Sequence, residues 1–225
     1  MEIKELILFT NNIDKQKNFY SKIIELEEIK SFSHDEISFK IGNSVLKFIK
    51  RDQITPYHFA INICSNQEQE ALLWLKERVS ILKDGENEII NFESWNAKAI
   101  YFYDEDKNII EFIARKNLES TSHEAFSPIS LLEISEVGLP TVSIEEIYRK
   151  LNKYMGLSIY SGSFDEFCAI GDENGLIICV DQVKKNWFPS NDKAFPSEFN
   201  SEIISNNNTF IITYKKGILI INQKY

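Results

Sequence analysis

The 225-residue chain contains few of the residues that build common catalytic sites. Only three histidines occur, and two of them, His34 and His123, lie in turn-like or polar segments, so we expect no Ser–His–Asp triad. The eight glycines form no phosphate-binding loop. The three cysteines are odd in number and form no CxxC pair. They predict buried free thiols in a reducing compartment instead of a disulfide framework.

Positive charge and long apolar runs are also scarce. The chain has 25 Lys and Arg residues against 34 Asp and Glu, for a net charge of −9, and no basic patch that would favour nucleic-acid binding. No apolar run approaches the roughly 18 residues that span a bilayer, and the first residues lack the pattern of a signal peptide. The sequence therefore predicts a cytoplasmic protein that binds neither nucleic acid nor membrane.

The chain does have a recurring order of elements: one strand, one helix and then three strands. The hydrophobic patterns predict the first set at residues 2–10, 11–24, 27–32, 36–41 and 44–50. They predict the second set at residues 57–63, 66–82, 88–95, 98–104 and 108–115. The similar endings KFIKR and EFIAR support an internal repeat.

A polar stretch at 116–130 contains Pro128 and no periodicity, which indicates a linker between two domains, 1–115 and 131–225. After it, the order recurs as a strand at 131–141, a helix at 144–155 and three strands up to 182. The last set is truncated, because an aromatic-rich loop stands where its helix is expected. The fold class predicted is α+β, with tandem βαβββ modules and a divergent, truncated second copy.

Three potential metal ligands, Glu5, His58 and Glu111, lie at equal intervals in strand-like segments. If each points inward, one imidazole and two carboxylates suit Fe(II), Mn(II) or Zn(II) and leave positions open for substrate oxygens. Tyr101 and Tyr103 share strand parity and precede the turn before Glu111. Facing inward, they would wall the pocket or donate a hydrogen bond, so we group them with Glu111 as candidate catalytic residues.

Two motifs resemble the vicinal-oxygen-chelate superfamily, which includes glyoxalase I, extradiol dioxygenases and the fosfomycin and bleomycin resistance proteins. ELILFTNNIDKQKNFYSKIIELE, at 5–27, resembles its opening strand and helix, and YFYDEDKNIIEFIAR, at 101–115, its closing hairpin. The resemblance implies that paired modules curve into an open barrel with Glu5, His58 and Glu111 as metal ligands. It implies a metal-dependent lyase or dioxygenase that acts on a small molecule with adjacent oxygens, as a monomer or homodimer.

Two departures from the family pattern leave an alternative open. Glu5 stands where His or Gln is more usual, and Lys47 falls at a fourth ligand position, where a cation is a poor ligand. Lys47 between two carboxylates would form a salt-bridge network that needs no metal. The alternative is a metal-free, small-ligand-binding or drug-sequestering protein of the bleomycin-resistance type. A third reading, with no small-molecule site, is an interaction protein.

The second domain offers less chemistry. Glu136 takes the place of Glu5 there, but Ile178 replaces Glu111 and no histidine follows His123, so we expect no metal site within 131–225. The loop NWFPSNDKAFP presents aromatic residues that would either cover a pocket mouth or fill the gap left by the missing helix. We favour the second interpretation.

Overall fold

The computed structural model describes residues 1–31 and 33–224 and confirms the modular order. The first module comprises β1 (Glu2–Thr10), α1 (Ile13–Asn18), β2 (Glu28–Ile29), β3 (Glu36–Ile41) and β4 (Ser44–Lys50). A π-helical turn continues α1, whose first turn is capped by the Asn12 side chain. The strand predicted at 27–32 includes Phe32, which lies outside the described residues.

The second and third modules are more complete. The second comprises β5 (His58–Ile63), α2 (Glu68–Lys76), β6 (Ile81–Leu82), β7 (Ile90–Phe92), β8 (Ala97–Tyr103) and β9 (Ile109–Arg115). The third comprises β10 (Leu131–Thr141), α3 (Ile144–Met155), β11 (Ile159–Gly162), β12 (Phe167–Asp172) and β13 (Gly175–Asp181).

The fourth module has no helix in its usual place, as the sequence predicted, but the loop expected there contains a two-stranded hairpin. It comprises β14 (Asn186–Trp187), β15 (Asp192–Lys193), β16 (Phe199–Ser205), β17 (Asn208–Lys215) and β18 (Ile218–Lys224). With three short helices and mostly strands in the described residues, the α+β class is confirmed.

Helix α3 illustrates how local sequence sets these elements. The Ser143 side chain accepts a hydrogen bond from the backbone of Glu146 at the first turn. Gly156 ends the helix at a φ of 68°, a left-handed conformation that glycine adopts without strain. The helix buries one apolar stripe at helical spacing: Ile144, Ile147, Leu151 and Met155.

The strands form two large open sheets, and each sheet joins two modules that are not the two halves of one predicted domain. The seven-stranded sheet has the order β18-β17-β16-β1-β4-β3-β2 and joins the first module to the fourth. The nine-stranded sheet has the order β11-β12-β13-β10-β5-β9-β8-β6, with β7 also on β8, and joins the second module to the third. Each sheet therefore takes strands from both sides of the 116–130 segment where we expected a domain boundary.

The core follows from strand alternation. Along β5, Phe59, Ile61 and Ile63 belong to the main apolar cluster, which contains residues of both large sheets and the helices. The intervening Ala60 lies in a second apolar cluster on the opposite face of the nine-stranded sheet. That opposite face carries the candidate site.

Two further expectations concern single features. Cys64, Cys168 and Cys179 are all free and buried, as their number and pattern predicted. Among the described helices, none combines the length and the apolar character needed to cross a bilayer.

Candidate metal centre

Three strands bring His58, Glu111 and Glu136 together. In the sheet register, Ala60 on β5 stands opposite Glu111 on the parallel strand β9 and opposite Glu136 on the antiparallel strand β10. His58 precedes Ala60 by two residues and shares its face of the sheet. One donor atom from each of the three residues lies within 4.8 Å of the others, and all three residues are buried.

The His58 ring is oriented by the backbone. Its Nδ1 lies 3.2 Å from the carbonyl oxygen of Ile109, to which it donates. Its Nε2 therefore keeps its lone pair and faces the carboxylates, 3.6 Å from Glu111 Oε2 and 3.9 Å from Glu136 Oε2. Burial lowers the pKa of His58 to about 4, so the imidazole is neutral at pH 7. This arrangement is typical of metal-binding histidines, whose second nitrogen is held by a backbone carbonyl.

Glu136 is held by a buried arginine. Arg115 is fully buried, and its Nη2 donates to Oε1 of Glu136, while its Nε donates to Asn62 Oδ1 at 3.1 Å. The other oxygen of Glu136, Oε2, faces His58. Burial raises the pKa of the Glu136 carboxyl, and the guanidinium of Arg115 opposes that shift. One carboxylate oxygen thus has its own cation, and the other is directed to the centre.

Glu111 lies beside a tyrosine. Tyr101 on β8 stands directly opposite Glu111 in the sheet register, and both side chains line the same cavity. Burial and the nearby charge of Glu136 raise the pKa of Glu111 well above its usual value. Burial and the same carboxylates raise the pKa of Tyr101 well above its usual value, so its phenol remains a donor at neutral pH.

These residues fit a divalent cation. A neutral imidazole nitrogen and two carboxylate oxygens are the donor set favoured by Zn(II), Mn(II) and Fe(II). Two of the donors also have an outer partner that fixes their orientation: the Ile109 carbonyl for His58 and Arg115 for Glu136. The two buried carboxylates, Glu111 and Glu136, have one arginine, Arg115, to balance their charge. The excess negative charge favours the uptake of a proton or a cation.

A cavity of about 310 Å³ opens above the three residues. Its floor holds His58, Glu111, Glu136 and Tyr101, and the rest of its lining is mostly aromatic: Phe92, Trp95, Phe167, Trp187 and Phe188, with Ile178, Val180, Lys185 and Asn186. The Trp187 ring centroid lies 4.9 Å from that of His58. The aromatic loop of the fourth module, which stands in place of the missing helix, therefore also lines the cavity.

The structure does not bring Glu5 or Lys47 to this centre. Glu5 lies on β1 in the seven-stranded sheet, where β16 and β4 flank it, and β1 does not pair with β5. Burial raises the pKa of Glu5, and the positive charge of Lys47 opposes that rise. Lys47 forms an ion pair with Glu36, 2.8 Å away, on the same sheet. Glu5 and Lys47 therefore belong to the sheet that lacks the histidine.

The two tyrosines have separate environments. Tyr101 lines the cavity and lies against His58, with ring centroids 6.3 Å apart. Tyr103 donates to Asp192 of the fourth module and lines a neighbouring depression on the other side of Trp187. Tyr101 is therefore placed to contact a ligand of the centre, and Tyr103 is not.

Three residues of the centre were not assigned to it from the sequence: Glu136, Arg115 and Trp187. The correspondence of Glu136 with Glu5 in first strands of modules was visible, but the sheet partner of His58 was not. Arg115 lies four residues after Glu111 and so shares its face of β9, which was the available signal for its position.

The sequence matches no protein-family model and no curated protein. A solved structure of a putative dioxygenase from Bacillus subtilis is similar over 99% of this chain and 84% of its own, with a TM-score of 0.65 and 12% identity. Two shorter structures are each similar to about half of this chain. The fosfomycin resistance protein FosX from Listeria monocytogenes covers 53% of this chain and 98% of its own (TM-score 0.43, 23% identity). Lactoylglutathione lyase from Agrobacterium tumefaciens covers 49% and 91% (TM-score 0.40, 18% identity). The full-length similarity shows that this chain shares the fold of that putative dioxygenase, in agreement with the fold that its two motifs predicted.

Proposed function

We propose that this protein is a metal-dependent enzyme that binds a divalent cation through His58, Glu111 and Glu136. Its substrate is a small molecule with two neighbouring oxygens, and its reaction is of the lyase or dioxygenase type. The observation that carries the proposal is the convergence of three donor atoms within 4.8 Å of one another on the floor of a cavity. The sequence resemblance had named His58 and Glu111 but had taken Glu5 as the third ligand.

Each residue has a role that follows from its contacts. A divalent cation held by three protein ligands would supply Lewis-acid polarisation of substrate oxygens at its open positions. His58 presents Nε2 because Ile109 engages Nδ1, and Glu136 presents Oε2 because Arg115 engages Oε1. Tyr101 holds its phenol proton beside Glu111, where it donates to that carboxylate or to a substrate oxygen.

Glu111 is the candidate proton acceptor. It lines the cavity, where a carboxylate oxygen that is not bound to the cation would face the substrate. Glu5 and Tyr103, which sequence analysis had included, take no part in the proposed reaction.

A second function, metal-free binding of a small ligand, is favoured by one observation. Arg115 already gives Glu136 a cation, so the buried carboxylates are not wholly uncompensated without a metal. In that case Glu111 holds a proton, and the cavity binds a ligand by its aromatic walls. The two functions differ in whether added metal binds with defined stoichiometry.

Metal analysis separates them. Protein purified without chelators is measured for transition metals, and the metal-free protein is titrated with Mn²⁺ and Zn²⁺ by calorimetry. We expect the wild type to bind about one equivalent of metal. Glu136→Gln should lower the metal affinity by roughly tenfold to a hundredfold. Glu5→Gln, the same change in the other sheet, should bind like the wild type. Absence of stoichiometric uptake in the wild type would leave the metal-free function.

A further inference from the structure

A single run of four residues forms one side of the cavity. Lys185, Asn186, Trp187 and Phe188 all line it, although they belong to the fourth module and the metal ligands belong to the second and third. The run is held in a hairpin by the backbone bond from Asn191 to the Trp187 carbonyl, 2.7 Å long, and by the pairing of β14 with β15. The segment Lys185–Phe188 is therefore an ordered wall brought to the site from a separate part of the chain.

Gly138 makes room for this wall. Glycine stands on β10 two residues after Glu136, and a methyl group there would approach the Trp187 ring atoms Cη2 and Cζ2 to 2.7 and 2.8 Å. Those distances are too short for non-bonded carbon atoms, which prefer about 3.5–4.0 Å. The indole thus packs directly on the strand backbone, next to His58. Only glycine permits Trp187 to sit this close to the centre.

The cavity wall favours a flat ligand. Rings of Phe92, Trp95, Phe167, Trp187 and Phe188 surround it, and several meet edge to face, such as Phe92 with Phe188 and Tyr101 with Phe188. Aromatic faces and edges prefer to contact other rings in stacked or edge-to-face arrangements. The volume of about 310 Å³ is at the lower end of ligand sites, which suits one substituted ring.

Lys185 is the cationic residue of the lining. Among residues 1–31 and 33–224, no ion pair involves Lys185, although its neighbour Lys184 pairs with Asp165 away from the cavity. With a divalent cation bound, Glu111 and Glu136 balance its charge. Among the lining residues that the structure describes, Lys185 is then left with an unbalanced charge, and Arg115 behind Glu136 adds a second positive charge. Both are positive, so the loaded site favours an anionic ligand.

We propose that the segment Lys185–Phe188, seated by Gly138, selects a planar aromatic substrate with an anionic group remote from its two neighbouring oxygens. Trp187 and Phe188 contact the ring, and Lys185 binds the remote anion. This inference rests on the proposed metal centre, which binds the neighbouring oxygens. It assigns substrate recognition to a module that contributes no metal ligand.

Calorimetry on Mn²⁺-loaded protein tests the inference with three probes. 3,4-Dihydroxybenzoate has the ring, the adjacent oxygens and the anion; 3,4-dihydroxybenzamide lacks the anion; and glycerate lacks the ring. We expect the benzoate to bind roughly tenfold or more tightly than either of the others. Lys185→Met should abolish the preference for the benzoate over the benzamide, whereas Lys184→Met, the matched control, should retain it.

A second variant tests the wall without touching a charge. Gly138→Ala should weaken both aromatic probes, alter tryptophan fluorescence and leave the preference of benzoate over benzamide unchanged. Mn²⁺ affinity, measured by electron paramagnetic resonance, is read separately for every variant. If wild-type protein binds no Mn²⁺, the proposed function fails. If Mn²⁺ binds and Lys185→Met keeps the wild-type preference, or glycerate binds as tightly as the benzoate, the inference alone is overturned.

Discussion

Replacing Arg115 by Met should strongly destabilise the metal-free protein. The guanidinium is fully buried and donates to both Glu136 and Asn62, whereas a methionine of similar length donates to neither. Breaking a buried ion pair by removing one partner costs about 3–5 kcal/mol. In a chain of this size each kcal/mol lowers Tm by about 2–4 °C, so Tm should fall by roughly 6–20 °C.

The deficit should depend on pH and on metal. Without Arg115, the pKa of Glu136 in the folded state rises further, because its countercharge is lost. A raised folded-state pKa favours the protonated carboxyl, so the variant should lose most stability at high pH and recover part of it as pH falls. A bound cation also compensates Glu136. Saturating Mn²⁺ should therefore raise the Tm of the variant by more than that of the wild type.

Thermal and urea unfolding of metal-free protein, followed by circular dichroism, measures these effects. Arg149→Met is the control, since Arg149 pairs with Glu145 on the exposed face of α3 and its loss should change stability by less than about 0.5 kcal/mol. An Arg115→Met variant as stable as the wild type at pH 8, with no extra response to Mn²⁺, would refute the countercharge role of Arg115.

Two further predictions concern how the modules fit together. Asp104→Ala should lower the free energy of unfolding in urea by about 2–4 kcal/mol, because this buried carboxylate accepts hydrogen bonds from Gln16 and Tyr20 of the first module. Glu105→Ala changes an exposed neighbour and should leave stability unchanged. Equal effects of the two substitutions would contradict the role of Asp104. Gly42→Ala should lower the free energy of unfolding by about 3 kcal/mol or more, since Gly42 has a φ of +50° and the added methyl would lie 1.8 Å from the Leu132 carbonyl oxygen. Unchanged stability would mean that the turn at Gly42 does not approach β10 so closely.

Local sequence pattern was enough to predict the modules and half of the site. His58 and Glu111 belong to the first and last strands of one module, which pair in parallel, so their proximity follows from the module itself. Asn12 as a helix cap follows equally from local chemistry, because its side chain accepts from the backbone of Lys15.

The third ligand depends on a choice that local pattern does not contain. Within its own module, β5 pairs with β9 on one edge only. The other edge could pair with the first strand of another module, and both β1 and β10 carry a glutamate at the comparable point, Glu5 and Glu136. The structure pairs β5 with β10, so Glu136 joins the centre and Glu5 remains in the other sheet. That choice is made by long-range packing of modules, including the fourth, whose Trp187 lies against His58.

The position of a bound metal tests the proposed centre of His58, Glu111 and Glu136 most directly. Anomalous diffraction at the manganese edge, from crystals of the metal-free protein soaked in Mn²⁺, locates the ion without reference to activity. We expect one strong peak within coordination distance, about 2.0–2.3 Å, of His58 Nε2 and of carboxylate oxygens of Glu111 and Glu136. A peak beside Glu5 in the seven-stranded sheet, or no peak at the three residues at saturating Mn²⁺, would contradict it.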